Sequence, residues 1–236
     1  MIYTPSEVLV KGFQAYGGLN NDHDGELTKQ DVKMFKKVYG SDPTVVAIIW
    51  QDIMTSAACA PYLIKKDRGD KGFKAFLIAM HFLWAYPKNG ELLAWSFGVK
   101  LRKVQGENLW KWVQIIAVLK EQKIVWPQAE YEHPTSQKYI VSVDGIDFKC
   151  WELKHPTMPY DRRQFTQKHN HGGVKYEIAI DIYRSKVVWI SGPHRGGKHD
   201  KSIYVEGLLL KIPDGKKVVG KKNSVQFKSV GCGVVW

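Results

Sequence analysis

Two aspartates stand where this chain could do metal-dependent chemistry. Asp144 ends the apolar run Lys138-Tyr139-Ile140-Val141-Ser142-Val143-Asp144, just before the turn residue Gly145. Asp200 follows the glycine-rich stretch Gly192-Pro193-His194-Arg195-Gly196-Gly197-Lys198-His199, which leaves one apolar segment and opens the next. A carboxylate at a strand end projects from a rigid scaffold, and two that converge offer the oxygen ligands a hard divalent cation prefers. A pair of such ions held there can activate water and stabilise the leaving oxygen of a phosphodiester. Aspartate is equally a turn residue beside glycine and an N-cap residue before a helix, so spacing alone leaves both roles open. Asp147 and Asp181 are further carboxylates able to complete such a site.

A second candidate is helical. Glu91-Leu92-Leu93-Ala94-Trp95-Ser96-Phe97-Gly98-Val99 is followed by Lys100, Arg102 and Lys103 and then by a long amphipathic stretch. Gly98 supplies the tight turn between two crossing helices, the layout of a helix-turn-helix. Arg102, Lys103, Gln105 and Asn108 are the groove-facing or phosphate-facing residues of such a unit. A plain helical hairpin with a solvated basic face uses the same residues.

The third candidate is the loop from Asn20 to Asp31. Oxygen side chains stand at positions one, three and five (Asn20, Asp22, Asp24), with Gly25 at six, Leu27 at eight and Asp31 at twelve. This spacing resembles an EF-hand loop. Asn20 replaces the usual first Asp and Asp31 the usual Glu, and the shorter Asp31 favours Mg2+ or weak Ca2+ binding. An acidic turn between two helices is the alternative.

The elements that must position these residues fall into three zones. Residues 1–42 read as helix, acidic loop, helix: Val8, Leu9, Phe13 and Tyr16 recur at helical spacing, as do Val32, Phe35, Val38 and Tyr39. Residues 43–125 are again helical, with helices expected at Phe73–Tyr86, Glu91–Phe97 and Lys103–Lys120. From residue 126 to 236 the period shortens. Strands are expected at Lys138–Asp144, Val174–Ile182, Lys186–Ser191 and Lys216–Gly220, with a helix at Ser202–Lys211. The expected fold class is α+β: a helical N-terminal region, then a mixed sheet covered by helices.

Composition sets the outer limits. Apolar residues at 44% and charged ones at 25% describe an ordinary globular chain. The 35 Lys and Arg against 23 Asp and Glu leave a net charge of +12, which favours a polyanionic partner. Three scattered cysteines with no C-x-x-C pair fit a reducing compartment without disulfides or zinc knuckles. The first residues have no signal-peptide pattern, and the most apolar window, Phe76 to Tyr86, is too short to span a bilayer. Lys198 lacks P-loop spacing, His169 and His171 have no zinc-spaced partners, and Trp110, Trp112, Trp126, Trp151 and Trp189 read as core or seam residues.

The stretch Val141 to Gly220 resembles the catalytic domain of Harbinger-type DDE transposases of protists and algae. The residues that carry the resemblance are Ser142-Val143-Asp144-Gly145-Ile146-Asp147-Phe148, Tyr176-Glu177-Ile178-Ala179-Ile180, Val188-Trp189-Ile190-Ser191-Gly192-Pro193 and His199-Asp200. Upstream, His81-Phe82-Leu83-Trp84-Ala85-Tyr86-Pro87 and Ser96-Phe97-Gly98-Val99 also fit. The resemblance covers roughly two thirds of the chain in order. It implies a partial RNase H-like domain that uses Mg2+ or Mn2+ to cut DNA, with Asp144 as the first catalytic aspartate and Asp200 as that of the His-Asp motif. The family's next strand runs into Asp-x-Gly-Tyr and a later Glu. Here Lys216-Lys217-Val218-Val219-Gly220 is followed by Lys221-Lys222-Asn223-Ser224, and the ending through Trp236 does not resemble the family. A frameshift, a misread intron or a decayed element produces such an ending, and Lys221 puts positive charge where a cation should bind.

The resulting expectation is a transposase-derived DNA-binding protein with an incomplete nuclease site, nuclear by the family's habit. DNA is the expected partner, a second copy of the chain is left open, and no membrane is expected. The other expectation is a Ca2+- or Mg2+-responsive binding module without nuclease activity.

Overall fold

Short polar residues start the helices that the apolar spacing demands. In the computed structural model, which describes residues 2–17, 28–85, 90–102, 107–149, 162–166, 171–220 and 234–235, α1 (Pro5–Ala15) opens on a Thr4/Glu7 capping box with proline at its first position. Thr28 caps α2 (Lys29–Tyr39), which ends on Gly40 in the left-handed region. Asp42 caps α3 (Pro43–Thr55), again with proline first. α4 (Asp70–Ala85), α5 (Gly90–Ser96) and α6 (Glu107–Lys123) follow. The expected helices are present with ends displaced by a few residues, where local capping decides.

The chain divides into two compact units, Met1–Lys123 and Ile124–Trp236. The first is built on aromatic packing. Trp50 of α3 stacks near Trp112 of α6 (ring centroids 5.6 Å apart) and meets Phe73 and Phe76 of α4 at 5.0 and 5.5 Å. Phe13, Phe35 and Tyr39 join the same core from α1 and α2, so helices of the first two expected zones share it. Trp112 is fully buried as expected, whereas Trp110 is exposed and rests edge-on against Phe82. Trp126 and Trp189 pack against the core of the second unit, and Trp151 lies outside the described residues.

The second unit begins with a short helix, α7 (Gln128–Glu132), and holds the sheet. Its strands are β1 (Tyr139–Lys149), β2 (Phe165–Thr166), β3 (His171–Asp181), β4 (Val187–Arg195), β5 (Lys217–Gly220) and β6 (Val234–Val235). β1 pairs antiparallel with β3, and β3 with β4; β5 lies parallel beside β1, and β6 parallel beside β5. β2 adds two residues to the start of β3. Between β4 and β5 runs α8 (Asp200–Glu206), followed by a 3-10 turn at Leu208–Lys211. The single helix expected at Ser202–Lys211 is thus two pieces, parted at Gly207.

One expected element ends differently. β1 does not stop at Asp144-Gly145 but pairs continuously with β3 from Val141↔Asp181 to Lys149↔Gly173. Ile146 and Phe148 suit a strand, and ladder pairing on a long partner outweighs the turn preference of Asp-Gly. Asp144 therefore sits within the strand.

Asp181 locks the far end of β3. It is 2% exposed and accepts from the Tyr131 hydroxyl (2.7 Å), the Tyr183 and Arg184 amides (2.9 and 2.8 Å) and the Arg184 guanidinium. Burial pushes its carboxyl up, but these donors more than offset it and hold the group below the usual carboxylate range. Replacing Asp181 by Ala leaves a buried hydroxyl and two amides without their acceptor. It is expected to lower unfolding free energy by about 3 kcal/mol, read by urea denaturation.

Candidate functional site

The pleat of β1 decides which carboxylates meet. Asp200, the first residue of α8, lies over Gly145: its carboxyl atoms are 3.5–3.7 Å from where a Cβ on Gly145 would stand. Successive side chains point to opposite faces of a strand, so Asp144 projects to the other side of the sheet. Burial agrees, with Val141 and Val143 buried and Ser142, Asp144 and Ile146 exposed. Asp144 and Asp200 are therefore not brought together, contrary to the convergence expected for them. The Asp144 carboxylate instead accepts the Gly145 amide at 2.9 Å.

On the helix-covered face a different set gathers. Asp147 shares that face with Gly145, and Lys175 stands directly across from it on β3. Lys175 Nζ donates to Asp200 Oδ1 at 2.9 Å and lies 3.9 Å from Asp147 Oδ1. Glu177, across from Gly145, is 5% exposed and accepts from Trp189 Nε1 at 3.2 Å. Burial pushes the Glu177 carboxyl up to about 7, with the Trp189 hydrogen bond opposing and the Asp200 charge adding to the rise. Ser191 pairs across from Glu177, and its hydroxyl meets His194 Nε2 at 2.8 Å. Of these residues, Asp147 and Asp200 were candidates from sequence; Lys175 and Glu177 needed the β1–β3 register.

The described carboxylates do not fit the cation pair that the transposase resemblance implies. Asp144 and Asp200 occupy opposite faces, and a lysine ammonium already compensates Asp200. Among the described residues, no group of three or more His, Cys, Asp and Glu is placed to hold a metal ion. The described pairing of β1 with β5 stops at Val143↔Gly220, one position short of Asp144, and Lys221 lies outside the described residues.

The helical candidate has its turn. α5 closes with the Val99 amide donating to Ala94 O (2.9 Å) and the Gly98 amide to Trp95 O (3.0 Å), a Schellman pattern. Gly98 adopts φ 57°, which glycine reaches at no steric cost. Buried Phe97 anchors the turn, its ring 5.4 Å from Tyr16 and 5.3 Å from His81. Beyond it, Lys100 and Arg102 are exposed, and Asn108 is exposed in the first turn of α6. Trp95, on α5, is 81% exposed. Lys103 and Gln105 lie outside the described residues.

Of the acidic loop, Thr28 to Asp31 are described; Asn20, Asp22 and Asp24 lie outside the described residues. α2 begins at the loop's tenth position, behind the Thr28 cap. Asp31 is buried, accepts from the Thr28 hydroxyl and donates its own amide to Thr28 Oγ1 at 3.2 Å. On the entry side, α1 ends at Ala15, well before Asn20.

Fold and geometry together define a mixed α+β chain with a helical unit and a sheet unit. Comparison with family models, with curated proteins and with solved structures returns no match for this chain. Among the described residues, no helix is long and apolar enough to cross a membrane.

Glu177 gives the sheet a pH signature. Its folded pKa lies above the ordinary value of 4.5, so the native state binds its proton more tightly than the unfolded chain does. The cost of ionising it is absent at low pH and grows as pH rises from about 4.5 through about 7. Glu177→Gln is expected to raise stability at pH 8 by roughly 2–3 kcal/mol. In thermal melts of both proteins, the gain should shrink toward zero as pH falls below 5.

Proposed function

We propose that the chain is a DNA-binding protein of DDE-transposase descent, of the Harbinger type, that does not cut DNA by itself. The observation that carries the reading is the order of the sheet. Three antiparallel strands, β4-β3-β1, are followed after α8 by β5 parallel beside β1, which makes β1 the central strand of β4-β3-β1-β5-β6. That arrangement supports a partial RNase H-like domain with Asp144 on its central strand. The glycine turn after α5, with Lys100 and Arg102 exposed beyond it, supports a helix-turn-helix-like contact with DNA. Arg102 and Asn108, with Lys103 and Gln105, are its contact residues, and the net charge of +12 supplies the long-range attraction. A nuclear location goes with this descent.

Cleavage is left out because the carboxylates that would hold Mg2+ or Mn2+ do not converge among the described residues, and Lys221 follows β5 where the family has an aspartate. Supercoiled plasmid incubated with Mn2+ tests this. The wild-type chain and Asp144→Ala should both retard the plasmid on a gel and leave it supercoiled. Nicking by wild type that disappears in Asp144→Ala would contradict the reading and make Asp144 a working ligand.

A Ca2+- or Mg2+-responsive module is the second reading, favoured by the helix that starts at the tenth position of the Asn20–Asp31 loop. Asp31 is already engaged with Thr28. Far-ultraviolet circular dichroism is therefore expected to stay unchanged on Ca2+ addition. A rise in helicity would favour the metal-responsive module instead.

A further inference from the structure

The exposed face of α2 carries four cations and no anion. Lys29, Lys33, Lys36 and Lys37 are all exposed. At roughly 100° per residue they fall within about 100° of arc, spread over about 12 Å of helix. The only acidic residue of α2, Asp31, is buried on another side and committed to Thr28. None of the four lysines has a carboxylate partner among the described residues. Elsewhere in the helical unit, Lys111 is paired with Asp67 and Lys123 with Asp52.

Such a stripe costs the isolated fold. Lys29 and Lys33, and again Lys33 and Lys37, are like charges four apart, which repel across a helix face. Lys29 also sits at the positive end of the helix dipole. The helix is nevertheless held rigid. The Trp84 indole, 58% exposed, donates to the Lys37 carbonyl at 3.1 Å and covers the Gly40 cap, its ring atoms 2.7–2.8 Å from where a Cβ on Gly40 would stand. Tyr39 fixes the buried side by donating to Gly12 O at 2.7 Å. A rigid, single-sign face whose repulsion nothing in the described fold relieves is complementary to a regular polyanion.

We propose that Lys29, Lys33, Lys36 and Lys37 of α2 bind the phosphate backbone of DNA, as a contact separate from the turn at Gly98. The proposal rests on the DNA-binding reading above and adds to it a second, sequence-independent surface. Phosphate contacts of this kind set affinity and salt dependence and carry no base information.

The test is fluorescence anisotropy of a labelled random-sequence duplex titrated with the full chain across a KCl series. The variant carries Lys29→Gln, Lys33→Gln, Lys36→Gln and Lys37→Gln together. A control carries the same change at the exposed Lys65, Lys66, Lys71 and Lys120. The log–log slope of affinity against salt should become shallower by about 0.9 for each lysine in contact, so by about 3–4 for the α2 variant. The control should keep most of the wild-type slope. Glutamine is about as good a helix former as lysine, so the melting temperature of the α2 variant should be no lower than that of wild type. A folded α2 variant with the wild-type slope, or a control that loses as much, overturns the α2 surface and leaves the DNA-binding reading standing. A wild-type chain that does not bind the duplex at any salt overturns that reading and the α2 surface with it.

Discussion

The carboxylates of the sheet unit take their positions from the two-residue period of β1. Because side chains alternate, Gly145 and Asp147 face α8 while Asp144 faces away, and no rotamer carries a side chain through a hydrogen-bonded sheet. The unbroken ladder from Val141 to Lys149 against β3 fixes this parity over the whole strand. From it follow the Lys175 bridge to Asp200, the burial of Glu177 opposite Gly145, and the separation of Asp144 from Asp200. One residue of slip would exchange the two sets, but it would also turn Val141 and Val143 out of the core, which burial opposes.

In the helical unit the corresponding constraint is aromatic. Trp50, Phe73, Phe76 and Trp112 fill the space between α3, α4 and α6, and Phe97 carries the glycine turn into the same core. Anchoring the turn from inside leaves Lys100, Arg102 and Trp95 outside, so the buried scaffold presents a polar and aromatic surface. The imidazole of His81 belongs to this anchoring. It meets Val38 O at 2.7 Å through Nδ1 and packs against Tyr16 and Phe97, and burial holds its pKa below the ordinary value.

Much of this was legible in the residues themselves. The helices of the first unit follow from apolar spacing and from caps such as Thr4, Thr28 and Asp42, which act within a few residues. The strands around Val141, Ile178 and Ile190 follow from runs of β-branched residues, and the turn at Gly98 from a lone glycine between two apolar patterns. What the sequence hid depends on pairing across distance. Asp144-Gly145 looks like a turn until β3 is laid beside it. Lys175 looks like a surface lysine until the register places it opposite Asp147 and under Asp200. Asp181 reads from sequence as a spare metal-site carboxylate, because Tyr131, the partner that buries it with nearby Arg184, lies 50 residues earlier in the chain. Trp110 reads as a core or seam residue because tryptophan usually is one, and only the helix phase shows it to be half outside.

We propose that this basic α+β chain engages DNA through charge, and the salt dependence of binding by the intact protein tests this most directly. With a duplex of arbitrary sequence, log affinity is expected to fall linearly with log salt, at a slope of about −4 or steeper if five or more phosphates are neutralised. A slope near zero, or no binding at low salt, would contradict the account and leave the sheet order without the function drawn from it.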